Sequence, residues 1–371
     1  MIYYGRQSIN QDDIEAVVSV LESSFITQGP KVVEFEKDLA NYCGVKYAKV
    51  VNNGTAALHL AYLAAGIAQG DIVWTVPNTF VATANAALYC GATVDFVDID
   101  PKTYNLSIHC LKEKLSNAKK DKKLPKLVVP VHFAGQSCEM KEIWQLSQEY
   151  GFKIIEDASH ALGASYLNNK VGNCKYSDMT IFSFHPVKMI TTGEGGAIMT
   201  NSRQLDQKIE LLRNHGITRE ANQFISQSDG DWYYEQQLLG FNYRLTDIQA
   251  ALGISQLKRL DKFVAKRKII AEEYFEKLNN DILPYQHLDT SSSWHLFVIQ
   301  VENRKKTYNQ LKKLGIASQV HYIPVPHQPF YSAKPLRNSQ AFYQRCLSLP
   351  IYVDLSSQEQ QKVIDSLICI N

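Results

Sequence analysis

Between residues 47 and 200, short apolar runs alternate with helix-patterned segments, and no other feature of the 371-residue chain restricts its fold as strongly. Residues 47–51 (YAKVV), 71–77 (DIVWTVP), 92–100 (ATVDFVDID), 126–133 (KLVVPVHF), 152–157 (FKIIED), 179–184 (MTIFSF) and 196–200 (GAIMT) read as strands. Asn10 opens a helix that carries Ile14, Val17, Val18 and Leu21 on one face, and residues 55–65, 81–89 and 139–150 are helical. Strands that alternate with helices predict an α/β fold: an open, mostly parallel sheet with helices on both faces. Ligands in such sheets lie beyond the carboxyl ends of the strands.

After about residue 245 the pattern changes. A single helical stretch from Leu245 to about Leu278 leads into strands near 295–301 and 317–322 and helices near 304–314, 338–347 and 357–369. The expected organisation is a large α/β domain over residues 1–245, then a linking helix and a smaller α+β domain over 246–371.

Charge and cysteine usage exclude several classes. Lys and Arg total 39 against 37 Asp and Glu, a net charge of +2, so no polyanion-binding surface is implied. The run Lys119-Lys120-Asp121-Lys122-Lys123 reads as a solvated loop or helix end. No apolar run approaches the roughly 20 residues that span a bilayer. The start MIYYGRQSINQDD lacks the basic and apolar parts of a signal peptide, so a cytoplasmic protein is expected. The seven cysteines are odd in number, widely spaced and free of C-x-x-C, which argues against a disulfide framework and a structural metal site.

Several residues fall where the sheet should present chemistry. Lys188 follows the strand 179–184 beside a Gly-rich turn, among apolar neighbours. A desolvated lysine there becomes a nucleophile toward carbonyls, although most lysines are simply surface residues. Asp157 ends the strand FKIIED and can keep a pyridine nitrogen protonated, or can merely cap a helix. Gly54-Thr55-Ala56 lies between a strand and a helix, where backbone amides and the helix dipole bind an anion. Plain helix capping by Thr55 is the competing reading. Ser183 could add a hydrogen bond to a phosphate. Phe80 could stack on a flat heterocycle, or could be a core aromatic. Phosphate cradle, flat platform, carboxylate and lysine together meet the separate needs of pyridoxal phosphate (PLP).

The segments FSFHPVKMITTGEGGAIMTN, EDASHALGA and NNGTAALHLAYLA resemble the DegT/DnrJ/EryC1/StrS family of PLP-dependent sugar aminotransferases. The resemblance runs from TQGPKVVEFE through GFNYRLTDIQAALGISQLKRLD to QVHYIPVP and LSLPIY. It implies fold type I, the aspartate-aminotransferase-like fold, and a homodimer with shared active sites. By resemblance, Lys188 bonds to the cofactor and shuttles the proton, and Asp157 holds the ring nitrogen. His160 lies near the ring hydroxyl, Phe80 stacks, and Thr55, Ala56 and Ser183 contact the phosphate. Asn242 would reach that phosphate from the neighbouring subunit. His185, Tyr4, Thr27, Arg244, His321 and Tyr322 match stretches near the nucleotide-sugar. Trp232-Tyr233-Tyr234 would close over the substrate or pack on the partner.

Within the family, FHPVK, RNHGITRE and DWYYEQQLLGFNYRLTDIQAALG are most similar to members that aminate C4 of a UDP-linked 4-keto-6-deoxy-N-acetylhexosamine. Glutamate is the amino donor that the resemblance implies. Rival readings are a sibling enzyme for another UDP- or dTDP-linked keto-sugar, a dehydratase of the family, and a non-catalytic PLP-binding regulator. Dehydratases carry histidine in place of Lys188. Regulators carry an extra DNA-binding module, for which the chain is expected to have no room. A nicotinamide enzyme would need G-x-G-x-x-G, which NNGTAAL does not supply.

Overall fold

The computed structural model describes residues 1–331 and 333–370. Its elements begin with α1 (Gln11–Leu21), α2 (Pro30–Cys43), β1 (Tyr47–Val51), α3 (Gly54–Ala64), β2 (Ile72–Thr75), α4 (Val81–Tyr89) and β3 (Thr93–Phe96). Next come α5 (Ile108–Lys120), β4 (Leu127–Val129), α6 (Met140–Tyr150), β5 (Lys153–Asp157), the short pair β6 (Ser165–Tyr166) and β7 (Asn169–Lys170), β8 (Met179–Ser183) and β9 (Gly196–Thr200). After α7 (Arg203–Arg213), a ribbon pairs β10 (Ile217–Thr218) with β11 (Glu235–Gln236). The last third holds α8 (Asp247–Leu257), α9 (Leu260–Lys277), β12 (Thr290–Ser291), β13 (Phe297–Gln300), α10 (Arg304–Lys313), α11 (Arg337–Arg345), β14 (Cys346–Leu349) and α12 (Ser357–Ile370).

Seven strands form one sheet in the order β1-β9-β8-β5-β4-β2-β3. β8, β5, β4, β2 and β3 are parallel neighbours, whereas β9 runs antiparallel to both β8 and β1. The sheet is therefore mostly parallel, with one reversed strand. Its inner strands β4, β8 and β9 read as mostly apolar runs because both faces are covered. Val51, Ile155, Ile181 and Ile198 pack with α3, α4 and α7 on one face. Val50, Phe182 and Met199 pack with α2 and α8 on the other, where Trp74, Val128 and Ile154 meet α5 and α6.

The reversal of β9 matters for the site. Because β9 runs opposite to its neighbours, it starts at the edge where β1, β2, β4, β5 and β8 end, with Gly196 paired to Val51 and Ser183. The β8–β9 connection, which carries Lys188, thus lies at the carboxyl edge.

Two expectations for the last third need correction. The stretch 245–278 is two helices rather than one, broken at Lys258-Arg259. The guanidinium of Arg259 is drawn to the buried Asp13 carboxylate, which also accepts from Ser255 and Gln256. That tether holds α8 against α1 while α9 departs toward the C-terminal lobe. Residues 317–322 form no strand; only Gln319 bridges to Ser348. The C-terminal lobe is built on the antiparallel pair β13–β14, with apolar residues from α9, α10 and α12. Residues at the start of the chain join it: Ile2 exchanges hydrogen bonds with Gly315 and Ala317, and Tyr4 O accepts from Ile351 N.

Candidate active site

Asp157 is the last residue of a central strand, and its carboxylate is buried and heavily hydrogen-bonded. Oδ2 accepts from Thr83 Oγ1 at 2.7 Å, and Oδ1 accepts from Ser159 N at 3.1 Å and Ser159 Oγ at 2.7 Å. Thr83 Oγ1 is in turn 2.8 Å from Thr79 Oγ1. Such bonds hold a carboxylate in one orientation.

Lys188 lies in the turn between β8 and β9. Its N–H donates to His185 O, while Met189 and Ile190 anchor the following residues in the core. Among the described residues, its amine makes no hydrogen bond or ion pair. Burial pushes its pKa down to about 8, with the Asp157 charge opposing that fall. At pH 7 roughly a tenth of the amine is therefore neutral and nucleophilic.

The start of α3 supplies the anion cradle. Asn53 Oδ1 caps it by accepting from Ala56 N at 2.8 Å. The amides of Gly54 and Thr55 meet no acceptor among the described residues. Ser183 closes one side, since a Cβ on Gly54 would sit 2.9 Å from Ser183 Cβ. Gly196 lies beneath, where a Cβ would come within 2.7 Å of Asn53 O. The backbone there approaches closely because no side chain intervenes. Unpaired amides, the dipole of α3 and the Ser183 hydroxyl suit a phosphate, with no basic side chain needed.

Neutral aromatic groups form the wall facing Lys188. Ala134 N–H donates to His160 Nδ1 at 3.3 Å, so the His160 proton resides on Nε2. Nε2–H then donates to Tyr322 Oη at 2.9 Å, leaving the phenol proton free to be donated onward. Burial, reinforced by the positive charge of Lys188, holds the His160 pKa well below its usual value. Burial and Lys188 likewise push His321 down to about 3, and its Nδ1 lies 2.8 Å from Ser348 Oγ. The His295 ring lies 4.4 Å from that of His160, tilted at 45°, and burial lowers its pKa strongly. Tyr4 lies 5.4 Å from His321 and Phe80 lies 6.3 Å from Tyr322, measured between ring centroids. Phe80 caps α4 and is 60% exposed, as a stacking platform requires and a core aromatic does not.

The structure thus brings Lys188, Asp157, Ser183, Thr55, Ala56, Phe80, His160, Tyr4, His321 and Tyr322 to one edge of the sheet. The remaining expected site residues make other contacts within the single chain. Arg244 bridges Val51 and donates to Asn214 Oδ1 at 2.6 Å. Asn242 pairs with Asn214, and Thr27 pairs with Thr246. Asn242, Thr27 and His185 are exposed. Trp232 is also exposed, Tyr233 donates to Glu235, and Tyr234 lies beneath Arg219. Those contacts stay within the β10–β11 ribbon. Sequence reading missed Thr79, Thr83, Ser159, Asn53 and His295. Three of these had a signal: Thr79 and Thr83 share a helical i, i+4 spacing, and Ser159 follows Asp157 by two residues, as in an Asx turn.

A lysine and a capped aspartate at the carboxyl edge of such a sheet, beside an anion-binding helix start, define the aminotransferase class. The chain belongs to the DegT/DnrJ/EryC1/StrS aminotransferase family, whose model matches residues 7–368. It is 42% identical to a UDP-4-amino-4,6-dideoxy-N-acetyl-β-L-altrosamine transaminase of Campylobacter jejuni, covering 100% of this chain and 97% of the relative. It is 35% identical to a GDP-perosamine synthase of Caulobacter vibrioides, covering 97% and 95%. Its fold matches that of Helicobacter pylori PseC, an aminotransferase of pseudaminic acid biosynthesis, with a TM-score of 0.90, 34% identity and coverage of 100% and 98%. The PLP form of the sugar aminotransferase Spr1654 from Streptococcus pneumoniae matches with a TM-score of 0.88, 27% identity and coverage of 100% and 98%. The chain is a sugar aminotransferase with the fold type I architecture. Among the described residues, no helix is long and apolar enough to cross a membrane.

Proposed function

We propose that the chain uses pyridoxal 5′-phosphate to aminate C4 of UDP-2-acetamido-2,6-dideoxy-β-L-arabino-hex-4-ulose. The product is UDP-4-amino-4,6-dideoxy-N-acetyl-β-L-altrosamine, a precursor in pseudaminic acid biosynthesis, and glutamate is the donor. The observation that carries the cofactor assignment is the unpaired, desolvated amine of Lys188, on the same sheet edge as the hydrogen-bonded carboxylate of Asp157. Similarity to the Campylobacter transaminase supports the sugar.

When bound, pyridoxal phosphate supplies an electron sink for proton loss at the amine-bearing carbon. Asp157 keeps the ring nitrogen protonated. Gly54, Thr55 and Ser183 hold the phosphate, with Ala56, whose N–H is taken by the Asn53 cap, lining the cradle and Asn242 of a second copy completing it in a homodimer. Phe80 covers one ring face, and His160 orients Tyr322 beside the ring. Lys188 anchors the cofactor, then takes and returns the proton once displaced. Its lowered pKa lets one amine serve in both roles. His185, Tyr4, Thr27, Arg244, His321 and Tyr322 surround the nucleotide-sugar.

The test is incubation with glutamate and a panel of UDP-4-keto-6-deoxy sugars, with products identified by NMR. Turnover of the L-arabino epimer alone supports the reading, and turnover of the D-xylo epimer alone selects a sibling enzyme. A second reading, a GDP-linked keto-sugar, rests on the similarity to GDP-perosamine synthase. A GDP-linked 4-keto sugar in the panel tests it.

A further inference from the structure

The carboxylate of Asp157 offers two oxygens and about four acceptor sites. Oδ1 has both of its sites filled, one by Ser159 N–H and one by Ser159 O–H. Among the described residues, Oδ2 accepts only from Thr83 Oγ1, so a single acceptor site on Oδ2 stays open. The direction of the remaining bonds follows from proton count. An ionised carboxylate only accepts, so Thr83 spends its one hydroxyl proton on Oδ2. Thr83 Oγ1 therefore accepts from Thr79 O–H across the 2.8 Å contact. All three side chains are buried, so water does not compete for these bonds.

The relay also has a fixed support. Tyr62, fully buried on α3, donates to Thr83 O at 2.8 Å and ties the first turn of α4 to the neighbouring helix. Thr79 and Thr83 flank Phe80, the aromatic at the cap of α4. One short segment thus presents the flat platform and fixes the carboxylate.

We infer that Thr83, backed by Thr79, is a positioning residue that aims the open site of Asp157 Oδ2 at the cofactor's ring nitrogen. This rests on the PLP reading above. Without the Thr83 hydroxyl, Oδ2 keeps its charge but loses the partner that sets its direction. The carboxylate then turns about its bond to Cβ, and its contact with a protonated heterocycle weakens.

The experiment measures PLP affinity of the apoprotein by absorbance titration for the parent chain, Thr83→Val, Thr83→Ser, Asp157→Asn and the Thr83→Val/Asp157→Asn double variant. Thermal unfolding of each apoprotein serves as the control for packing. Valine matches threonine in shape, so T83V should keep an apoprotein melting temperature close to the parent's. Its PLP affinity should fall about tenfold or more, the scale of one lost hydrogen bond to a charge. T83S restores the hydroxyl and should return to within about threefold of the parent. In the D157N background, T83V should cost little more, because its effect passes through Asp157. Unchanged affinity in T83V, or an equal loss in both backgrounds, would overturn the inference while leaving the PLP reading intact. A parent apoprotein that captures no PLP would overturn both.

Discussion

At the residue scale, the site is an uncharged enclosure built around one amine and one carboxylate. Lys188→Ala should abolish covalent capture of PLP and turnover while leaving the fold intact. Borohydride reduction followed by peptide mapping checks it: the parent carries a pyridoxyl label at Lys188, and K188A carries none. Capture should also depend on pH. The amine's pKa of about 8 means that its neutral fraction rises with pH and levels off above that value. The second-order rate of PLP capture by the apoprotein should rise about tenfold per unit between pH 6 and 7 and flatten near pH 9. A rate that is level between pH 6 and 9 would contradict the burial of this group. Tyr322→Phe should leave the His160 Nε2–H without an acceptor and lower stability by about 1–3 kcal/mol in urea unfolding. Lys188 and Asp157 stood out in the sequence because each ends or follows an apolar strand. Thr79 and Thr83 did not, because a threonine's meaning here depends on a carboxylate 74 residues away in sequence.

At the element scale, two close approaches shape the anion cradle: α3 against the end of β8, and the loop before α3 against the start of β9. Gly196 permits the second, since a Cβ there would press on backbone at Asn53 O and Gly54 N. Backbone cannot swing aside as a flexible side chain can. Gly196→Ala should cost about 1–3 kcal/mol in denaturant unfolding and weaken PLP binding by displacing the start of α3. An unperturbed stability would show that the loop has slack. The inner strands of the sheet were legible because they are buried on both faces and therefore mostly apolar. The break between α8 and α9 was not, since both helices continue the same periodicity. Only a tertiary contact, Arg259 with the buried Asp13, separates them. Residues 317–322 read as a strand because of their composition. In the fold they carry His321 and Tyr322 into the site, and only Gln319 bridges to another strand residue. α5 and α7 escaped the sequence reading because they are mostly polar, with buried apolar side chains at only a few positions, such as Leu111, Leu115 and Ala118 in α5 and Ile209 and Leu212 in α7.

At the scale of the whole molecule, the exposed positions of Asn242, Thr27 and His185 fit a site completed by a second copy. That arrangement predicts complementation between two inactive variants. Lys188→Ala and Asn242→Ala subunits, unfolded and refolded together in equal amounts, should regain about a quarter of the parent activity. Half of the dimers would be mixed, and each mixed dimer would hold one intact site. No recovery, with both variants folded and dimeric, would mean that each subunit works alone. The hydrogen bonds of Ile2 and Tyr4 to residues 315, 317 and 351 carry a consequence of their own. The opening residues act as a clasp across the C-terminal lobe, and Tyr4 within that clasp touches His321. Loosening this clasp therefore frees Tyr4 from His321, so breaking its hydrogen bonds should disturb the wall facing Lys188 before it melts the sheet.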